Sequence, residues 1–145
     1  MITRAHVEKV VGFCTGRADM DQFRVHTAPE FVFEIMGTQP AAGEWRGVDA
    51  MKRHFAAFKE NFAGEFQFNA SAIYVDAEKQ TAAVRLHSVP LTDKGGGDYQ
   101  QHCGWFVYFD DDDRITRIVQ YDDSKLVDDM TVRVATARMK ALQKA

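Results

Sequence analysis

The most informative part of this chain for its fold is Tyr99–Asp123, YQQHCGWFVYFDDDDRITRIVQYDD. Two apolar-rich runs, 99–109 and 115–121, flank a run of aspartates, a pattern typical of a long β-hairpin with a solvated turn. Alternate side chains of a strand share a face, so the first run divides into two sets. One face carries Gln101, Cys103, Trp105 and Val107, and the other carries His102, Gly104, Phe106 and Tyr108. One of these faces must cover a core or a pocket.

The segments outside the hairpin alternate between helical and extended patterns. Apolar residues at helical spacing predict a first helix from Thr3, as N-cap, to Gly16, a second helix after Gly47 and a last helix over 124–142. The second helix carries an apolar stripe of Met51, Phe55, Phe58 and Phe62, ends before Gly64, and is interpreted as core. Strands are predicted at 30–36, 65–75 and 81–91. This order predicts one α+β domain over residues 1–145, with helices on one face of an antiparallel sheet.

Composition excludes several classes of partner. The net charge of −3 and the scattered Lys and Arg residues form no basic stripe, so no nucleic-acid partner is expected. No apolar run approaches the roughly 20 residues of a membrane span, and the charged N-terminal stretch is interpreted as neither signal peptide nor anchor. Cys14 and Cys103 lack metal-ligand spacing and are interpreted as reduced core thiols, although two cysteines could pair. A cytoplasmic protein without metal or cofactor is expected.

Three local patterns give the chain a family resemblance. They are the passage from Asp19 to Glu34, the loop Gly37-x-x-Pro40-x-x-Gly43-x-x-x-Gly47, and the strand 114–122. In this order they resemble the nuclear-transport-factor-2-like superfamily, which includes SnoaL-like polyketide cyclases and ketosteroid isomerases. The resemblance covers nearly the whole chain. It implies a cone-shaped, cystatin-like α+β barrel whose curved sheet and helices enclose an apolar cavity, and a homodimer formed through the outer sheet surface.

The resemblance also implies where the chemistry lies. The glycine–proline loop places Glu34 where ketosteroid isomerases carry a proton-shuttling carboxylate, whereas the isomerase oxyanion donors fall near Val11 and on Trp105. A comparison with epoxide hydrolases of the limonene type places Arg85, His87, Gln120 and Asp122 in the pocket, without the carboxylates essential to that reaction. The expected catalytic residues are therefore Glu34, His87, Asp122 and Arg85. Expected substrate-binding residues are Trp45, Phe58, Tyr99, Trp105, Gln120 and Tyr121.

Each of these assignments has a structural alternative. Glu34 could point outward or pair with Arg85, His87 could be a satisfied core histidine, and Asp122 could cap the last helix. His102 is expected at a dimer interface, and the remaining histidines, His6, His26 and His54, are expected to be exposed. The aspartates 110–113 lack the spacing of a calcium loop and are interpreted as a turn.

The predicted function is a cofactor-independent acid–base enzyme: an isomerase, cyclase or lyase of the dehydratase kind. Its expected partner is a small hydrophobic molecule, polycyclic or aromatic and of the polyketide or terpenoid type, as in secondary metabolism. The alternative is a non-catalytic module of the same fold that binds a small molecule or dimerises, because fold does not dictate activity.

Overall fold

A computed structural model describes residues 1–145 as four helices and eight strands. The helices are α1 (Arg4–Gly12), α2 (Met20–Val25), α3 (Val48–Lys59) and α4 (Ser124–Gln143). The strands are β1 (Thr27–Ile35), β2 (Gly43–Arg46), β3 (Phe68–Asp76), β4 (Thr81–Ser88), β5 (Leu91–Thr92), β6 (Asp98–Tyr99), β7 (His102–Phe109) and β8 (Ile115–Tyr121). No helix combines the length and the apolar character needed to cross a membrane.

Six strands form one curved sheet in the order β2-β1-β8-β7-β4-β3, and β5 pairs only with β6. The hairpin of β7 and β8 lies at its centre, as the sequence predicts. The α+β class and the cystatin-like architecture are confirmed. Two details differ from the expectation: β1 runs parallel to β8, so the sheet is mixed, and its edges β2 and β3 do not meet, so it is not a closed barrel.

The core lies between the inner face of the sheet and the helices, and α4 contributes Met130 and Val134 to it. Along β7, Cys103, Trp105, Val107 and Phe109 are at most 7% exposed, while the alternating residues face outward. Helix α1 adds a buried stripe that includes Val7, and its N-cap Thr3 accepts a hydrogen bond from the backbone N–H of His6. The apolar face of the strands, with period 2, and that of the helices, with period 3.6, therefore pack against each other in one core.

Short elements depart from the sequence-based expectation. Helix α1 ends at Gly12 rather than Gly16, helix α3 ends at Lys59 rather than before Gly64, and β4 ends at Ser88. Helix α2 and strand β2 were not expected. Both are too short for a periodic pattern to develop, and β2 exists only because it pairs with the edge of β1.

Helix α4 is fixed to the domain by a buried ion pair. The Asp93 carboxylate, which has a fully buried side chain, accepts hydrogen bonds from Arg133 Nη2 at 2.6 Å and from the backbone N–H of Gly95 and Gly97. Burial raises the pKa of Asp93, but these donors outweigh it and hold the pKa below its ordinary value. A Cβ on Gly97 would lie 2.1 Å from Arg133 Nε, so glycine is required for this close approach.

Candidate active site

A small pocket opens at the inner face of the sheet, where β1, β6 and β8 end beneath helix α3. Its volume of about 10 Å³ is room for about one water molecule. The lining residues are Ile35, Ala41, His54, Phe55, Phe58, Phe68, Tyr99, Gln101, Gln120 and Asp122. The pocket is mainly apolar, but five polar or titratable side chains converge on it. We call it the inner pocket.

Asp122 is the only carboxylate that lines the inner pocket. It follows β8 directly and is followed by Asp123, the N-cap of α4, so the strand end and the helix start fix its position. Burial raises the pKa of Asp122 to about 6, although a hydrogen bond from Gln120 opposes the rise. Asp122 is therefore mostly ionised at pH 7 and still basic enough to take a proton.

Two glutamines hold the Asp122 carboxylate. Gln120 Nε2 donates to Oδ1 at 2.6 Å, and Gln39 Nε2 donates to Oδ2 at 3.2 Å. Trp105 Nε1 in turn donates to Gln120 Oε1 at 2.7 Å, which fixes the orientation of that amide. All three supporting side chains are at most 6% exposed. The carboxylate thus accepts hydrogen bonds from two neutral amides and forms no ion pair with a cation.

The glycine–proline loop has a different role from the one its resemblance implies. It brings Gln39, not Glu34, to the site. Gly37 adopts φ 113°, and a Cβ there would lie 3.2 Å from Ser124 Oγ at the start of α4. The loop can therefore pass close to α4 and deliver Gln39 to Asp122.

His54 enters the inner pocket from helix α3, although it was expected to be exposed. Its ring stacks on Trp45 with the centroids 3.7 Å apart. Burial lowers the pKa of His54 to about 4, so the imidazole is neutral at pH 7. No hydrogen bond within the chain uses its ring nitrogens, which leaves one N–H donor and one acceptor for a bound molecule.

Tyr99 and Gln101 complete the polar lining. Gln101 Nε2 donates to the Tyr99 hydroxyl at 3.2 Å, and Gln101 Oε1 accepts from the backbone N–H of Asp123 at 2.8 Å. Burial raises the pKa of Tyr99, so its hydroxyl keeps its proton. Because the Tyr99 oxygen accepts from Gln101, its own O–H is available as a donor. The pocket thus combines one base with neutral hydrogen-bond donors.

Glu34 does not lie in the pocket. In β1, Phe33 and Ile35 point inward, so Glu34 must face the outer surface of the sheet. Its carboxylate pairs there with Arg117, which also lies 3.7 Å from Glu44. The expected pocket position of Glu34 is wrong, and the outward ion pair that the sequence left open has Arg117, not Arg85, as its partner.

Three further residues expected in the pocket also face outward. Val84 and Leu86 are buried inward on β4, so Arg85 is exposed and His87 is half-buried beside His102 on the outer face. Arg85 forms no ion pair, and its expected position in the pocket is wrong. Tyr121 is 51% exposed and packs edge-on against Phe106. The alternation of these strands was clear, but which set points inward depends on the register.

The other expected site residues lie at or near the inner pocket. Asp122, Gln120, Tyr99 and Phe58 line it, Trp105 supports Gln120 from below, and Trp45 packs behind His54. Sequence reasoning missed His54, Gln101 and Gln39 as site residues. His54 is four residues before Phe58 and so shares its helix face, and Gln101 shares a strand face with Trp105. Their spacing could therefore have indicated that both lie in the site. No such spacing indicated Gln39.

Two other kinds of reactive group are absent from the pocket. Cys14 and Cys103 are free, and burial raises the pKa of each thiol, so neither is an activated nucleophile. No three His, Cys, Asp or Glu side chains come together in a way that could hold a metal ion.

Comparisons with solved structures show the same fold. An NTF2-like protein from Burkholderia thailandensis E264 is 22% identical, with a TM-score of 0.74 over 88% of this chain and 95% of that one. PrhC from Penicillium brasilianum NBRC 6234 is 15% identical, with a TM-score of 0.75 over 92% and 88%. A candidate SnoaL-like polyketide cyclase from Jannaschia sp. CCS1 is 12% identical, with a TM-score of 0.66 over 85% and 90%.

At these identities the likeness shows the fold alone. No curated protein matches the sequence. The family itself is shown by the sequence, since residues 7–118 match the SnoaL-like domain over most of the chain. The chain therefore belongs to the SnoaL-like domain family and has the NTF2-like fold.

Proposed function

We propose that the protein is a cofactor-independent enzyme that moves a proton on a small, apolar, oxygen-bearing substrate. The observation that supports this most directly is Asp122: a carboxylate with a pKa of about 6, directed by neutral amides into an apolar pocket. General acid–base catalysis is most effective when the pKa of the group lies near the working pH. Isomerase, cyclase and dehydratase reactions all use such a group.

In the proposed step, Asp122 takes a proton from the carbon next to a substrate carbonyl. The electron pair of that C–H bond moves into the C–C bond, and the carbonyl oxygen becomes an enolate oxygen. The Tyr99 hydroxyl and the neutral imidazole of His54 are the donors that would stabilise this oxygen, because both line the same pocket. In a substrate with a C=C bond beside that carbon the enolate is conjugated, and protonated Asp122 returns the proton at the far end of that C=C bond, whose electron pair forms the new C–H bond; this completes an isomerisation.

The substrate has to displace aromatic side chains to enter. The inner pocket has room for about one water molecule, and Phe55 and Phe58 on α3 are only half-buried above it. Rotamer changes of this kind at binding sites are common. Structural neighbours that are named as a candidate polyketide cyclase and, from Bacillus subtilis, a candidate isomerase support a reaction of this class.

The test uses 2-tetralone, an apolar bicyclic ketone with acidic α-hydrogens. The wild-type protein should accelerate its α-hydrogen exchange in D2O, followed by NMR, and the rate should rise with an apparent pKa near 6. Asp122→Asn should lower the rate by at least about a hundredfold, because positioned acid–base groups typically contribute about 10² to 10⁴. Glu34→Gln is the matched control and should retain the rate, since Glu34 lies on the outer face.

An Asp122→Asn variant with full exchange activity would remove the assignment of Asp122 as the base. The second candidate function is a non-catalytic module that binds a small molecule. It is favoured by the outward position of Glu34, Arg85 and His87, which leaves only one of the four expected catalytic residues in the inner pocket. Binding of 2-tetralone without any acceleration of exchange would support this module instead of the enzyme.

A further inference from the structure

A larger groove lies on the far side of Phe55 and Phe68 from the inner pocket. Its volume of about 270 Å³ is close to the lower end of the roughly 300–1,000 Å³ typical of ligand sites. It runs between the connection of α1 to α2, one face of α3 and the segment that leads into β3. Its lining residues are Cys14, Gly16, Ala18, Met20, Met51, Lys52, Phe55, Ala56, Lys59, Phe66, Gln67 and Phe68. We call it the outer groove.

The floor of the outer groove is apolar and adaptable. Met51 and Phe66 are at most 4% exposed, and Met20 packs at the edge of the same core. Methionine side chains are flexible and polarisable and fit flat or irregular apolar molecules. The floor therefore suits an apolar ring system or chain without specifying its shape.

The charge of the outer groove has one sign. Lys52 and Lys59 are the only charged residues that line it, and neither forms an ion pair within the chain. They are seven residues apart on α3, hence on the same face about two turns apart. Beyond Lys52 the neighbouring surface carries Arg17 with Asp19 and Asp21, outside the groove. An apolar floor between two free ammonium groups is complementary to an apolar molecule with a carboxylate.

The outer groove and the inner pocket share a wall. Phe55 and Phe68 line both spaces. Phe68 is buried, whereas Phe55 is half-buried on α3, with its ring centroid 5.3 Å from that of Phe33 and 5.8 Å from that of His54. Rotation of the Phe55 side chain would join the two spaces into one elongated site.

We propose that the outer groove binds the apolar body of a carboxylate-bearing substrate. The carboxylate lies at Lys52 and Lys59, and the end that reacts passes Phe55 to reach Asp122 and His54. This inference rests on the proposed function in treating the groove ligand as the substrate. It specifies the substrate class as an apolar ketone that carries a carboxylate at its far end, rather than an uncharged ketone.

Binding is tested without turnover, with naphthalene-2-carboxylate and its uncharged amide as probes. The protein is labelled with 13C at the methionine methyl groups, and NMR reports on all six methionines. The carboxylate should shift the Met20 and Met51 methyl signals, which come from the groove, and leave those of Met130 and Met139 unchanged. The amide should bind more weakly. Equal affinities of carboxylate and amide, or shifts confined to other methionines, would overturn the proposal.

Two variants test the groove itself. Lys52→Gln with Lys59→Gln should weaken binding of the carboxylate by about threefold to tenfold and leave amide binding unchanged, as expected for exposed ion pairs. The matched control, Lys140→Gln with Lys144→Gln, removes the same charge from the end of α4 and should have no effect. Ala56→Phe fills the groove from an exposed helix position and should weaken binding of both probes. Carboxylate affinity that survives both groove variants would overturn the proposal.

Asp122→Asn separates this inference from the proposed function. The variant should bind naphthalene-2-carboxylate at Met20 and Met51 as the wild type does, because Asp122 does not line the outer groove. Carboxylate binding in the groove, together with full exchange activity of the variant, would reject the role of Asp122 and keep the groove. Loss of activity in Asp122→Asn, with no carboxylate binding to the wild type, would reject the groove and keep Asp122.

Discussion

Replacing Asp122 by asparagine should change how the stability of the protein depends on pH. Burial raises the pKa of Asp122 from its ordinary value of 3.8 to about 6. The folded state therefore binds a proton at Asp122 before the unfolded state does, so the free energy of unfolding falls as the pH rises through this range. Above about pH 7 the buried charge costs up to about 3 kcal/mol, at 1.36 kcal/mol for each pKa unit. The asparagine variant does not carry this cost.

The substitution also loses a hydrogen bond, so whether the variant is more or less stable than wild type depends on the pH. Asparagine can accept from Gln120 through its oxygen, but its NH2 group then faces Gln39 Nε2, also a donor. Gln39 Oε1 already accepts from the backbone N–H of Ala41, so that amide cannot reverse without a further loss. This offset of about 1 to 2 kcal/mol does not depend on pH. The variant should therefore be more stable than wild type by about 1 to 2 kcal/mol at pH 8, and equal or less stable at pH 4.5.

The assay is urea unfolding of wild type and variant at several values between pH 4.5 and pH 8. The difference between the two proteins should change by about 2 kcal/mol over this range. The variant has to be compared with the wild type because His54 changes the free energy of unfolding with pH in the opposite direction. Its lowered pKa, about 4, makes the folded state bind a proton later than the unfolded state, so its contribution to stability rises with pH. The two effects partly cancel in the wild type alone.

Two results would refute this reasoning. A stability difference that stays constant from pH 4.5 to pH 8 would mean that Asp122 is well solvated in the folded state. A change of the opposite sign would mean that an unrecognised donor or cation stabilises the charged carboxylate. Asp128→Asn, which removes an exposed charge from helix α4, is the matched control and should not reproduce the effect.

Two further predictions concern His54 and assembly. NMR titration should show the His54 imidazole neutral down to about pH 5, with a midpoint near pH 4, because burial disfavours the cation; a midpoint near pH 6.5 would contradict its burial beside Trp45. The protein should form a homodimer through the outer sheet face, where Phe106 and Tyr74 are 48% and 68% exposed; light scattering should give about twice 16.4 kDa, and Phe106→Glu should reduce the mass to 16.4 kDa. A wild-type mass of 16.4 kDa at micromolar concentration would reject the dimer.

Elements with a long, strict period could be predicted from the sequence alone. The hairpin of β7 and β8, the division of β7 into two faces and the apolar stripe of α3 all follow from spacing along the chain. Such patterns are decisive because each residue in the element reports the same face. The α+β class follows from the order of these elements.

Which face of each strand lines the pocket depends on how the sheet is assembled. Glu34, Arg85 and His87 lie on strands with clear alternation, yet all three face outward. A shift by one residue reverses the faces of a strand, and this register is set by pairing with strands far away in the sequence. The parallel pairing of β1 with β8 fixes Glu34 opposite Val119 on the outer face.

The candidate base shows the same division between sequence and structure. That Gln120 and Asp122 share a face could be read from the sequence, since they are two residues apart at a strand end. Their environment could not, because Gln39 and His54 come from a loop and a helix about 70 to 80 residues earlier. The raised pKa of Asp122 comes from burial beneath these distant elements. Desolvation is a property of the assembled fold, so no local pattern in the chain could have revealed it.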